Sequence, residues 1–187
     1  MARDSMLAKR RCVAIDGGMR SSRIFLLLIM AAVISGCSSS GKKRWEYSYK
    51  PGRSAVLIDG YAVPPAGLPV PVMRAISAGN RIVGRPYKYG GGHASVEDWG
   101  YDCSGTVSYA LFHAGLIKSC GTSESLRRFG SKGEGKHITV YARNGHTFIE
   151  IAGLRLDTGY NGENEGPRWT TKGRPLKGYV ARHPAGL

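Results

Sequence analysis

Apolar residues recur along this chain with three different periods, and the changes of period divide it. Residues 24–34, IFLLLIMAAVI, are an unbroken apolar run behind Arg20 and Arg23. Eleven residues at roughly 1.5 Å each cannot cross a ~30 Å hydrocarbon core. Helical spacing follows. Val72, Ile76 and Val83 stand at i, i+4 and i+11 with Met73 and Ala75 beside them, which predicts a helix over about 70–83, ending before GRPYKYGGG. Cys103, Val107, Ala110, Leu111 and Ala114 line one face of a second helix, predicted from Cys103 to near Gly115, with the Asp102 carboxylate placed to cap it.

The second half alternates with period two. HITVYA, HTFIEIA and LRLDTG read as strands, and Asn144-Gly145 is a strong hairpin signal. A two-residue turn there sets Arg143 opposite His146, Ala142 opposite Thr147, Val140 opposite Ile149 and Ile138 opposite Ile151. A second turn at Ala152-Gly153 sets Leu154 opposite Ile151, Leu156 opposite Ile149 and Arg155 opposite Glu150. One face is then apolar apart from Thr147, and the other carries His146, Phe148, Glu150, Arg155 and Asp157. His146 and Asp157 become diagonal neighbours roughly 7 Å apart. A helix normally packs on the apolar face, yet these two lie on the mixed one; a curled, barrel-like sheet burying both faces would reconcile the two.

Composition explains the apolar run. A basic start, a short apolar segment and small residues before ISGC describe an export signal. Residues 19–36 alone have its proportions, whereas the stretch before Met19 has no apolar period; this points to Met19 as the start. ISGC also resembles the bacterial lipobox, which makes Cys37 the expected lipidation site and sets Cys12 aside with the signal. The expected organisation is a signal over 1–36, a lipidated N-terminus and flexible tether over 37–69, and one folded domain over 70–187. The tether is rich in Ser, Gly, Pro and charge, with at most one short strand, SAVLI. Some 30 residues of it would reach at most about 100 Å. Removing the signal lowers the net charge from +14 to +10. For an exported protein that balance points to acidic wall polymers and anionic lipid head groups, not to nucleic acid. Lys42, Lys43 and Arg44 lie just past the anchor, where each cation adds on the order of 1 kcal/mol of attraction to an anionic surface.

Spacing alone makes Cys103 a small core residue. Its position at the first helical turn, where unpaired N–H groups and the helix dipole favour a thiolate, makes it a candidate nucleophile instead. A nucleophile needs a base, and five histidines compete. His113 is ten residues along the same helix, about 15 Å away. His137 and His146 stand at opposite ends of the hairpin, so at most one can meet the thiol, and Asp157 favours His146 as an imidazole with an orienting carboxylate. His93 sits in a loop with no visible partner, and His183 is uninformative. Cys120 is a leftover thiol, too far along the chain from the start of the Cys103 helix to bridge to it.

YKYGGG, then YDCSGTVSYALFHAGLI, and later NGHTFIEIAG and LDTG, resemble the NlpC-like family of papain-fold cysteine peptidases, which cut bacterial cell-wall peptides. The resemblance covers about 70–160. It implies an α+β, papain-like fold: N-terminal helices, then an antiparallel, curled β-sheet, with the nucleophile at the start of a helix packed on that sheet. It implies Cys103 as nucleophile, His146 as base and Asp157 in the third place, where the family more often has His, Asn or Gln. An amide at position 157 is therefore expected to cost little. Tyr89, Asp102 and Ser104 match positions lining the family's cleft, and no cofactor or metal is implied. The expected protein is a monomeric, membrane-anchored lipoprotein hydrolysing peptidoglycan stem peptides. A non-catalytic wall-binding lipoprotein on the same fold, or an acyltransferase or amidase acting on another substrate, remains open.

Overall fold

The computed structural model describes residues 43–159 and 165–187. The export segment, Cys12 and Cys37 lie outside the described residues. The first helix, α1, spans Val70–Ile82 and opens on Pro69 and Pro71, whose fixed φ suits a first turn. The second, α2, spans Cys103–His113. It stops where Gly115 takes φ 75 and the Leu116 N–H returns to the Leu111 carbonyl at 2.9 Å, the left-handed stop that glycine makes cheap. A one-turn helix, α3, follows at Ser123–Leu126.

Among the described residues ten short strands accompany the helices: β1 (Arg44–Trp45), β2 (Val56–Ile58), β3 (Tyr61–Val63), β4 (Ser131–Lys132), β5 (Ile138–Arg143), β6 (His146–Ile151), β7 (Leu154–Asp157), β8 (Arg168–Thr170), β9 (Arg174–Pro175) and β10 (Val180–His183). The main sheet is antiparallel throughout, in the order β4-β10-β5-β6-β7-β8. Within it β5 and β6 pair in the register read from Asn144-Gly145, and β6 and β7 in that read from Ala152-Gly153. The second turn is the more strained of the two. Ala152 sits at φ 48, a conformation that costs a residue with a Cβ roughly 1–2 kcal/mol.

Both faces of the sheet are buried. Ile138, Val140, Ala142, Ile149, Ile151, Leu154 and Leu156 pack against Val72, Ile76, Val107 and Leu111 of α1 and α2. Thr147, the polar residue on that face, donates to the Tyr141 carbonyl at 3.0 Å and so loses nothing by burial. On the other face Tyr141 and Phe148 pack with Trp45 and Leu176. Burial of both faces is therefore achieved by covering: β1, β9 and the residues that follow it, Leu176 and Tyr179, pack on the mixed face, and the strand order ends at β4 and β8.

Residues 43–69 differ most from expectation. Instead of a tether with one strand they hold three strands, with Trp45, Ala55 and Ala62 buried. β1 pairs with β9 across the whole domain. The β2–β3 hairpin is bracketed by Asn80, which accepts from the Ala62 N–H and donates to the Ala62 carbonyl, both at 3.0 Å. Strands of two or three residues carry no readable period, and Pro- and Gly-rich composition does not distinguish a docked strap from a linker.

Candidate active site

The site begins at the loop that launches α2. Asp102 caps the helix, its Oδ1 accepting from the Gly105 N–H at 2.7 Å and from Ser104 Oγ at 3.0 Å, while Oδ2 accepts from the Gly90 N–H at 3.0 Å. The glycines here serve close backbone approach. A Cβ on Gly105 would lie 2.0 Å from the Gly91 carbonyl oxygen, and one on Gly91 would lie 2.2 Å from that of Gly100. The glycine-rich loop is thus pressed against the first turn of the helix, and Cys103 is left 9% exposed. On the loop's outer side Asp98 accepts from Lys88 and from the Gly92 N–H, and these bonds pull its carboxyl down to about 2.

His146 opens β6, at the end of the sheet nearest this turn. Its Nε2 lies 2.9 Å from Asp157 Oδ1. A carboxylate only accepts, so Nε2 carries the proton and Nδ1 is the nitrogen left for the thiol. Burial opposes charge on this ring, but hydrogen bonds with Asp157 and with Cys103 outweigh it and raise the pKa above the ordinary 6.5. A raised folded-state value means that the imidazolium stabilises the fold in full below pH 6.5 and that this contribution is lost as pH climbs through the raised value. The His146 ring resonances should accordingly titrate with a midpoint above 6.5, and lower in Cys103→Ala, which removes one of the two raising bonds. A wild-type midpoint at or below 6.5 would contradict the arrangement.

Asp157 is 1% exposed, and its carboxylate is an acceptor on both oxygens. Besides His146 its Oδ1 accepts from the Thr158 N–H at 2.8 Å. Its Oδ2 faces two guanidiniums, Arg174 Nη1 at 2.7 Å and Arg155 Nη1 at 3.3 Å. Both are held among rings: Arg155 over Trp45 and Phe148, Arg174 over Phe148 and Tyr179, at 5.4 to 5.9 Å.

The structure thus brings Cys103, His146 and Asp157 together. Asp102 and Ser104 lie beside them but are buried, with their polar atoms taken up in the cap. Tyr89 is 90% exposed. Tyr87 is the tyrosine in electrostatic contact with Cys103 and Asp102; burial first, then those two groups, push its hydroxyl up. His93 has partners that sequence reasoning did not see: its Nε2 lies 3.1 Å from both Asp102 Oδ1 and Ser104 Oγ. No spacing rule fixes a loop residue nine positions from its acceptor, and none could have found Arg174, on a two-residue strand. His113 faces Glu97 at 3.1 Å. Both Cys103 and Cys120 are free thiols. Among the described residues no group of three or more His, Cys, Asp or Glu is placed to hold a metal ion.

No known family profile and no curated protein matches the sequence. Solved structures do resemble it. Rv1477, described as a hypothetical invasion protein of Mycobacterium tuberculosis, is 22% identical over 70% of each chain with a TM-score of 0.44. Two mutated forms of the Resuscitation Promoting Factor Interacting protein RipA are similar. The one altered at a cysteine gives 22% identity, 70% of each chain and a TM-score of 0.44. The one altered at a glutamate gives 20%, 83% of this chain, 78% of that chain and 0.42. At this distance the likeness carries nothing about chemistry.

Proposed function

We propose that this protein is an exported, papain-like cysteine peptidase that hydrolyses peptide bonds in peptidoglycan stem peptides. The observation that supports it best is one imidazole bonded on one side to a buried carboxylate and on the other to a cysteine opening a helix. Such a cysteine can form a thiolate with the His146 imidazolium as its counter-ion. The thiolate attacks the scissile carbonyl, and a carbon–sulfur bond forms. The Cys103 N–H, at the open end of α2, faces the developing oxyanion. The carbon–nitrogen bond then breaks as His146 gives its proton to the leaving amine. Water, deprotonated by His146, attacks the thioacyl carbon; the sulfur leaves, and the product is a carboxylate. Stem peptides are the substrate class suggested by the sequence resemblance, and a net charge of +10 suits an acidic polymer. Tyr89 is open for that contact, unlike Asp102 and Ser104.

Incubating residues 38–187 with purified muropeptides and weighing the products tests this. A pair of peptide fragments whose masses sum to substrate plus one water is the expected result. A folded protein whose His146 titrates as above but which yields no fragments would favour the non-catalytic reading.

The lipid anchor at Cys37 is part of the same proposal, and the folded strap changes its consequence. Only five residues separate Cys37 from Lys43, so the domain would stand within about 20 Å of the bilayer, not the ~100 Å of a long tether. Lys43 pairs with Glu134 at 2.9 Å, and Arg44 donates to the Gly173 carbonyl at 2.9 Å, so these cations also serve the fold. Fatty-acid labelling that persists in Cys37→Ala would rule the anchor out.

A further inference from the structure

Arg174 and the segment holding it have no part in the chemistry above, yet they touch its third residue. Arg174 is stretched between two acceptors, Nη1 donating to Asp157 Oδ2 at 2.7 Å and Nε to the Tyr179 hydroxyl at 3.2 Å. It is buried, and it sits on β9, whose pairing partner is β1: Trp45 stands opposite Arg174, and Arg44 opposite Pro175. The Leu176 N–H donates to the Lys43 carbonyl at 2.9 Å and extends the same seam. Trp45 also fixes the second guanidinium. Its ring lies under Arg155, and its indole N–H donates to Glu150 Oε2 at 2.8 Å. Residues 43–45 therefore brace both cations that face Asp157 Oδ2.

We propose that Arg174 is a positioning residue for the His146–Asp157 pair, and that the β1–β9 seam, formed by the first described residues of the chain, sets its position. A carboxylate free to rotate about its Cβ–Cγ bond would present either oxygen to His146 at varying angles. The hydrogen bond from Arg174 to Oδ2, with the Arg155 charge 3.3 Å from the same oxygen, stops that rotation and leaves Oδ1 aimed at Nε2. The strap next to the export segment is then part of the active apparatus, and displacing it loosens the imidazole without touching the thiol.

The test uses Arg174→Met, which keeps length and apolar contact, Arg174→Lys, which keeps charge but cannot span Asp157 and Tyr179 together, and Trp45→Leu, which keeps apolar bulk. Two readouts are taken per folded protein: kcat and KM on muropeptides, and the downfield NMR resonance of the His146 Nε2 proton hydrogen-bonded to carboxylate. In Arg174→Met kcat should fall about thirtyfold, within the 10–100-fold range typical of supporting-partner loss, with KM little changed and the resonance broadened or lost. Arg174→Lys should recover part of both, and Trp45→Leu should move both in the direction of Arg174→Met by a smaller amount. If Arg174→Met does not fold, Arg174→Lys decides, with a severalfold loss of kcat expected. A variant at position 174 with a lowered melting temperature but wild-type kcat and an unchanged resonance would make Arg174 a packing residue and overturn the proposal. Wild-type behaviour of folded Trp45→Leu would overturn the role of the seam. The kcat arm rests on the proposed hydrolysis; the resonance does not, so absence of turnover in the wild-type protein leaves the positioning claim to stand or fall on the spectrum.

Discussion

Replacing Cys103 with alanine is expected to reduce the proposed peptide hydrolysis by at least about 10³-fold, because the side chain proposed to form the acyl bond is gone and only substrate binding and the oxyanion donors would remain. The fold should survive. Alanine is the best helix former, the helix cap is made by Asp102 and not by the thiol, and the lost sulfur leaves a cavity of about methyl size. That cavity costs on the order of 1 kcal/mol, or a few degrees in melting temperature for a domain of this length. The complementary measurement is labelling by a thiol-reactive probe. Cys103 should react faster than Cys120 at neutral pH, since burial pushes the Cys120 thiol up while Cys103 has an imidazole beside it. Equal labelling of the two thiols, or turnover retained in Cys103→Ala, would return Cys103 to the role of a core residue.

The second large effect lies at Asp157, and here the structure reverses the sequence-based expectation that an amide would be tolerated. Three hydrogen-bond donors surround the carboxylate, His146 Nε2, the Thr158 N–H and Arg174 Nη1, and Arg155 adds a second cation in an ion pair at 3.3 Å. Asparagine offers one oxygen and one NH2. With its oxygen toward the arginines, the NH2 meets His146 Nε2, forces the ring proton to Nδ1 and sets it against the thiol. With its oxygen toward His146, the NH2 meets two buried cations. Asp157→Asn should therefore lower turnover per folded molecule on the order of 10⁴-fold, the scale on which a wrong tautomer acts. Asp157→Ala should lower it as well and also destabilise the protein by about 3–5 kcal/mol, the usual cost of leaving buried charges without their partner. The two variants separate in thermal unfolding, where Ala should fall further than Asn. Wild-type turnover in folded Asp157→Asn would remove Asp157 from the site and leave a Cys103–His146 pair.

The reversal marks where local reading ends. Position 157 was placed correctly beside His146 because both lie on one face of a hairpin whose register two short turns set, and register is a matter of period two and turn length. What else faces the carboxylate was not available from that pattern. The register sets Arg155 opposite Glu150, and the two are opposite each other, but Arg155 reaches Asp157, and Trp45 supplies the donor to Glu150. A long side chain selects its partner from everything within its reach, and the offset of 105 positions between Trp45 and Glu150 leaves no trace in local pattern. His93 is a similar case: the loop that carries it has no period, and only the pressing of Gly91 against Gly105 brings it over Asp102.

By itself the sequence determined the elements whose geometry is local: the helix begun at Cys103 by an Asp102 cap, the two antiparallel turns, the apolar face from Ile138 to Leu156, and through them the candidate nucleophile and base. Repeating backbone geometry makes these legible, because 3.6 and 2 residues per turn convert spacing directly into a shared face. Tertiary structure alone decided that residues 43–69 fold as part of the domain, that the mixed face is covered by β1 and β9, and that Asp157 lies between an imidazole and two arginines. The covering strap rests on a two-residue pairing across more than a hundred positions of chain, and the surroundings of Asp157 on the reach of long side chains from a strand too short to show a period. Their energy comes from desolvated charge and hydrogen bonds, which have no period and take effect only once the core has brought the partners together.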